Sequence, residues 1–457
     1  MRDVPKVRDR LQRRYGLKVL RIYLDNEKTK SLAVFSLSLA DGEEVARLTA
    51  SMSEIGLPEI PEFGTQGEVA LQESQFRLPV HIVPALKSAL EASEPPAAPL
   101  WIRLSVPLGL LAAVPWERLL QPGLGVPVLR LPYHRIFPHL ARENLDYVIC
   151  FNSPSLDPQL NRETIDQFLA QIPFDFAKAA SFHLFADTRF YPELLNLQEE
   201  YGERLRVTAY RPPADISPGS SIGQNPWLSW IKTELGTRSA DVVHFICHSY
   251  RTKNEGALAF AESPLRNMND NAGTLLFARE LAEFLNQVGA WSGALTSPPG
   301  NGSIGGMRML QSAVVRLRPG PVLLHDMSGP DSEQALGDAF RFLYAPPKPP
   351  PASPTVSLYC HPLWLTGEQA DADSRQLLQQ YTLDGWLGDR LANVSPPAWL
   401  ASSQKKLEVM AEDFAAGEDA DPDNGKKRAR ELVLKALADC AESRNSANAG
   451  EEDGEST

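Results

Sequence analysis

The chain has 457 residues, of which 43% are hydrophobic, 8% aromatic and 22% charged. That composition suits a folded globular protein and excludes a collagen-like, purely coiled-coil or wholly disordered chain; at roughly 100–200 residues per domain it leaves room for two or three units. Lys and Arg number 45 against 57 Asp and Glu, a net charge of −12, which repels phosphate backbones and disfavours nucleic acid as a partner.

Residues 5–15 mix Lys, Arg and apolar positions as a short helix does. Lys18–Leu24 and Ser31–Leu39 are predicted strands, and Leu78–Leu90 is helical in its second half. The linker Glu94-Pro-Pro-Ala-Ala-Pro99 closes a small α/β region, residues 1–95. From Leu100 short apolar runs alternate with amphipathic stretches. The runs are Leu100–Val106, Tyr147–Phe151, Phe182–Phe185, Leu205–Tyr210, Asp241–Cys247, Trp291–Leu295, Val322–His325 and Val356–Cys360. The helical stretches are Thr164–Ala170, Pro192–Tyr201, Trp227–Leu235, Ala278–Val288 and Met307–Leu317. This alternation predicts an α/β unit over 96–365 with a mostly parallel sheet, whose functional groups gather at the carboxyl edge of the strands. Pro346-Pro-Lys-Pro-Pro-Pro351 is a stiff spacer before the last strand.

Residues 366–457 form a helical, acidic, partly disordered tail. Its helices are predicted at Trp399–Phe414 and Lys426–Glu442, and Ala411–Thr457 carries 13 acids against 6 bases. The polar N-terminus lacks an apolar signal core, and the weakly polar stretch Val106–Trp116 is about half of a membrane crossing. Four cysteines (Cys150, Cys247, Cys360, Cys440) without a CxxC pair make neither a disulfide framework nor a zinc site. A soluble cytoplasmic protein with no membrane partner and no cofactor is expected.

The strongest chemical signal is Asp241-Val-Val-His-Phe-Ile-Cys-His248-Ser249, a buried strand that delivers an imidazole to its carboxyl end. His248 there suits a general base near neutral pH; the alternative is a strand ending in a solvent-facing histidine. His244 shares its face about 13 Å away, too far to share a metal ion. Cys247 points to the opposite face from His248, and the cysteines are expected to be structural. His325-Asp326 either orients a base or caps the turn after it. Trp116 is expected to pack as a large ring, with Glu117 placed to pair with Arg130. Finally, Gly300-Asn-Gly302-Ser-Ile-Gly305 is a literal GxGxxG, with Asp326 standing 21 residues beyond Gly305. It is the basis for an alternative nucleotide-binding reading through Gly300, Gly302, Gly305 and Asp326, although Pro298-Pro299 interrupts the strand-to-glycine entry.

The run Trp101-Ile-Arg-Leu-Ser-Val-Pro-Leu-Gly109, then Val114-Pro-Trp-Glu-Arg-Leu-Leu120 and Val128-Leu-Arg-Leu-Pro132, resembles the opening of CHAT domains. Asp241–His248 followed by Gly256-Ala-Leu-Ala-Phe-Ala261 resembles their histidine element, so the resemblance covers roughly residues 96–365 in the right order. It implies a caspase- and separase-like fold of clan CD peptidases: a mostly parallel sheet flanked by helices. Ser249 stands where the family usually has glycine. The family nucleophile is a cysteine at the end of the next long core strand. The matching stretch here, Gly293-Ala-Leu-Thr-Ser-Pro-Pro-Gly-Asn-Gly302, has none, and Ser297 or Pro298 occupies the place. Three functions are expected from these features. The first is a degenerate peptidase acting through a protein or peptide partner, for which the resemblance implies a regulatory or scaffolding role in a bacterial signalling or conflict system. The second is an active endopeptidase with His248 as base and Ser297 or Thr296 as nucleophile, for which the resemblance implies an oxyanion hole of amides around Ser249–Gly256. The third is the nucleotide-binding module.

Overall fold

The computed structural model describes residues 12–25, 31–39, 41–58, 73–93, 98–106, 108–133, 144–152, 179–188, 190–208, 225–236, 238–252, 255–265, 273–299, 304–329, 331–344 and 348–366. All belong to a compact unit spanning Met1–Arg390; a second unit, Leu391–Thr457, lies outside them. The helices expected at 164–170, 399–414 and 426–442 also lie outside the described residues, as does most of 5–15.

Residues 12–15 are helical, and an antiparallel meander follows, β1 (Lys18–Asp25), β2 (Leu32–Ser38) and β3 (Glu44–Ser51). Helix α1 (Ile82–Glu91) comes next and buries Ile82, Leu86 and Leu90, the i, i+4, i+8 stripe of an amphipathic helix. Then come β4 (Leu100–Leu104), α2 (Trp116–Leu124) and β5 (Val128–Arg130). Gly125, at φ 69°, ends α2 in the left-handed conformation that glycine takes without a Cβ penalty.

The second half runs β6 (Asn144–Phe151), β7 (Ala179–Ala186), α3 (Tyr191–Tyr201), β8 (Leu205–Val207), α4 (Pro226–Leu235) and β9 (Val242–Ile246). The start of α4 is set by Asn225, whose side chain accepts from the amides of Trp227 and Leu228, with Pro226 pre-set for the first turn. A three-stranded antiparallel sheet then intervenes: β10 (His248–Arg251), β11 (Gly256–Ala261) and β12 (Gly273–Phe277). The main sheet resumes through α5 (Ala278–Gln287), β13 (Ser292–Ser297), α6 (Ile304–Leu317), β14 (Val322–Asp326), α7 (Ser332–Tyr344), β15 (Val356–Tyr359) and the short α8 (Leu363–Thr366).

Twelve strands form one sheet in the order β3-β2-β1-β4-β5-β15-β14-β13-β9-β6-β7-β8. From β14 to β8 every neighbour is parallel, β15 is antiparallel to β14, and β15, β5, β4 and β1 are parallel to one another. The fold is therefore α/β, with a mostly parallel sheet flanked by helices. Residues 1–95 share this sheet with the strands beyond residue 96, because β1 pairs with β4 from Lys18↔Leu100 to Ile22↔Leu104.

The joint between the two halves is thin: β5 meets β15 through the single pair Arg130↔Tyr359. Side chains reinforce it. Arg130 Nε and Nη2 donate to Glu117 Oε1 and Oε2 at 2.6 and 3.0 Å, both residues buried, and Arg130 Nη1 donates to Ser312 Oγ at 3.4 Å. The guanidinium also lies 5.4 Å from the centre of the Tyr359 ring. Burial pushes the Glu117 carboxyl up, but the charge and hydrogen bonds of Arg130 bring it below its ordinary value. Glu117 thus stays ionised inside the fold.

Strand side chains alternate between two cores. Tyr147, Ile149 and Phe151 of β6 join the core that α7 covers with Ala339, Phe340 and Leu343. Val148 and Cys150 face the opposite core, built from α4, α5 and α6. The small sheet packs on α6 almost backbone to backbone. A Cβ on Gly256 would overlap the carbonyl oxygen of Gly306, and one on Gly306 would lie 2.6 Å from the carbonyl oxygen of Tyr250.

Candidate functional site at the carboxyl edge of the sheet

Strands β6, β9, β13 and β14 end side by side. The amide of Asn152 donates to the carbonyl of Ile246 at 3.0 Å, that of Cys247 to Thr296 at 3.3 Å, and that of Met327 to Ser297 at 3.1 Å. Asn152 Oδ1 also accepts from the amide of Ala261 at 2.8 Å, tying the main sheet to β11. Cys247 is thus level with the end of β13, and His248 is the first residue of the separate sheet. His248 is half-buried and in cross-strand register with Ala259, which is in turn paired with Leu275. Cross-strand partners and alternate residues share a face. His248 therefore lies on the same side as Tyr250, which is 41% exposed, and Leu275, 36% exposed.

The two candidate nucleophiles point to opposite faces of β13. Ser297 is buried on the α6 side, and its hydroxyl donates to the carbonyl of Pro298 at 3.5 Å. Thr296 is buried on the α7 side, where its Oγ1 lies 2.6 Å from His244 Nε2 and 3.3 Å from His325 Nδ1. Neither hydroxyl hydrogen-bonds to His248. The expected oxyanion stretch is a hairpin: Ser249 pairs with Leu258 and Arg251 with Gly256, while the amide of Thr252 donates to Glu255 O at 2.8 Å. Gly256 is used for close packing on α6.

Thr296 belongs to a buried chain that crosses four strands. Tyr147 Oη lies 2.6 Å from His244 Nδ1, His244 reaches Thr296, Thr296 reaches His325, and His325 Nε2 lies 3.0 Å from the carbonyl oxygen of Ser332 at the start of α7. The last acceptor fixes the polarity of the whole chain. A carbonyl only accepts, so His325 carries its proton on Nε2, and its neutral ring leaves Nδ1 to accept from the Thr296 hydroxyl. Thr296 Oγ1 then accepts from His244 Nε2–H, and His244 Nδ1 accepts from the Tyr147 hydroxyl. Neutral rings are what this site favours. Burial lowers His244 well below the ordinary imidazole value, with the neighbouring His325 adding to the effect, and burial holds His325 down to about 4. Burial likewise raises the Tyr147 hydroxyl. A chain that ends on a carbonyl orients its members and hands no proton onward.

No family model matches the chain, and no curated protein matches it either. The remaining sequence candidates are placed by the structure itself. Asp326 Oδ1 accepts from the amide of Ser328 at 3.0 Å, which is the turn-capping alternative for this pair. Gly305 lies buried in the first turn of α6, whereas Gly300 and Gly302 lie outside the described residues. Cys150, Cys247 and Cys360 are buried with thiols raised by desolvation, so none supplies a thiolate; Cys440 lies outside the described residues. Among those residues no three His, Cys, Asp or Glu side chains gather as metal ligands, and no helix is long and apolar enough to cross a membrane.

Sequence reasoning missed the Tyr147–His244–Thr296–His325 chain. The signal for it was a hydroxyl or imidazole side chain within, or at the end of, each of four predicted core strands.

Proposed function

We propose that this is a CHAT-like protein whose peptidase chemistry has been lost and which acts through a protein or peptide partner, as a regulatory or scaffolding component of a bacterial signalling or conflict system. The order of elements supports the reading. A buried strand, β9, runs directly into His248; a small antiparallel sheet intervenes; and β13, the parallel neighbour of β9, ends in Thr296-Ser297 before helix α6. A strand ending in histidine, then a glycine-bearing stretch, then the next long core strand is the order that the resemblance implies.

One observation carries the loss of chemistry. At the end of β13, where the resemblance implies a thiol, one hydroxyl is held between His244 and His325 and the other is turned to Pro298 O. A hydroxyl is far less acidic than a thiol. To attack a carbonyl it needs an imidazole within about 2.6–3.2 Å, and His248 bonds to neither. The exposed Tyr250 and Leu275 beside His248 suit contact with a partner better than proton transfer in a closed site.

The test is to incubate the full chain with a broad peptide library and analyse the products by mass spectrometry, alongside His248→Ala and Ser297→Ala. The expected result is no cleavage above that of a heat-denatured control. Cleavage by the wild type that disappears in both variants would overturn the proposal in favour of the endopeptidase.

A further inference from the structure

We propose that His325 is an acid-sensitive latch, holding the corner between β14 and α7 closed while its ring is neutral and releasing it when the ring takes a proton. Both ring nitrogens are committed. Nε2–H donates to the Ser332 carbonyl and Nδ1 accepts from Thr296. A second proton would place an N–H on Nδ1 facing Thr296 Oγ1, which already accepts from His244 Nε2–H. The Thr296 hydroxyl proton would then lose its acceptor; the Nε2–H bond to Ser332 survives protonation and favours the charged ring, but burial outweighs it, so the cation is relieved only when the ring leaves this fully buried site for water and takes the Ser332 bond with it.

Among the described residues, the surroundings offer that cation no counterion. From β13 the ring meets Thr296; from β9, by way of Thr296, it meets the neutral His244; from β6, beyond His244, comes Tyr147. On α7 the titratable group toward this core is Tyr344, which bonds to Ser292 Oγ at 2.6 Å, while Asp338 pairs with Arg341 at 3.2 Å on the partly exposed side and Glu333 is exposed. Asp326, next to His325 on β14, turns its carboxylate to the Ser328 amide, and Asp331 precedes α7 in the left-handed region at φ 57°. Asp146 and Asp241 stand near the amino ends of β6 and β9, where Asp241 Oδ2 accepts from the Asp146 amide at 2.8 Å and Asp146 Oδ1 bonds to His183 Nε2 at 3.1 Å. None of these carboxylates bonds to His325.

The corner is attached to the candidate site. Ser332 Oγ donates to Met327 O at 3.2 Å, and the Met327 amide bonds to Ser297 O. Release of Ser332 therefore loosens the turn that borders the end of β13. The latch would gate access to the carboxyl edge in response to acid, and it stands independently of whether Ser297 reacts.

Hydrogen exchange read by mass spectrometry, corrected for the pH dependence of intrinsic exchange, tests this on the full chain. A proton that binds the open corner near the ordinary imidazole value of about 6.5 and the closed one near 4 makes opening about tenfold more favourable per pH unit between them. Peptides covering 326–340 should lose protection at that rate in the wild type. His325→Gln can still donate to Ser332 and accept from Thr296 but cannot take a proton, and should stay flat; peptides from β1 and β2 should change in neither protein. An equal fall in wild type and variant, or no fall in the wild type, overturns the latch. Should the variant fail to fold, nitrogen-15 spectra of labelled histidine in the wild type decide instead. His325 should be protonated on Nε2 alone at pH 7 and hold that state at pH 5.5; an Nδ1–H form or a midpoint near 6.5 refutes the proposal.

Discussion

Replacing Thr296 with valine removes one oxygen from the middle of the buried chain and leaves its volume nearly unchanged. The His244 Nε2–H then loses its acceptor at 2.6 Å and His325 Nδ1 loses its donor at 3.3 Å, both in the interior. A buried polar group left unsatisfied costs about 1–3 kcal/mol, so two cost roughly 2–6 kcal/mol. Serine keeps both bonds and drops one methyl, worth about 1 kcal/mol. Unfolding entropy of about 2.1 cal/mol/K per residue over a unit of this size gives about 0.8 kcal/mol/K. On that scale Thr296→Val should lower Tm by about 3–7 °C and Thr296→Ser by about 1 °C. Thermal melting followed by tryptophan fluorescence suits the measurement, because Trp291 and Trp364 lie 5.7 Å apart near the end of α7. If valine proves no more costly than serine, the hydroxyl does not join the two imidazoles and the assigned polarity is wrong.

Glu117→Gln should leave the Arg130 guanidinium buried without its counterion, and should cost about 3–5 kcal/mol by urea titration at pH 7. Because the folded Glu117 carboxyl lies below its ordinary value, its pair stabilises the fold above about pH 4.3 and loses that contribution as pH falls through the lower folded value. The wild type's advantage over Glu117→Gln should therefore shrink as acid is added, read as converging urea midpoints. Gly256→Ala has nowhere to put its methyl but against Gly306 O, so β11 must move off α6; a fall in stability and loss of exchange protection in 256–261 should accompany it. Alkylation with iodoacetamide at pH 8 should leave Cys150, Cys247 and Cys360 unmodified until denaturant is added, as read by peptide mass spectrometry.

Most of the large sheet was legible in the sequence because its strands are continuous apolar runs. Lys18–Leu24, Tyr147–Phe151 and Val356–Cys360 fall within a few residues of β1, β6 and β15. β3 escaped because Glu44–Ser51 is an exposed edge strand with charged side chains, which is also how edges resist unwanted pairing. Helix α2 was hidden by Pro122 near its end, and β10 by the run Ser249–Gly256, which resembles a polar loop when read without its register. Glu117 with Arg130 lay within reach, since opposite charges 13 residues apart flank one short turn. The site was less accessible. Periodicity shows that Tyr147, His244, Thr296 and His325 each occupy a strand, but it does not give the order β14-β13-β9-β6 that lines them up. Nor did the spacing of His248 and Ser297 reveal that the chain leaves the main sheet at Cys247.

The lone bridge between β5 and β15 gives the molecule a line of weakness. Backbone ladders elsewhere in the sheet share load over several rungs, whereas this seam has one, and side chains supply the rest: Arg130 reaches Ser312 and the Tyr359 ring, Arg308 of α6 reaches Glu73 and the Ala113 carbonyl, and Leu129 and Leu131 share a core with α7. Strength at that junction therefore resides in side chains, and a substitution there weakens a contact that the backbone supplies elsewhere in the sheet.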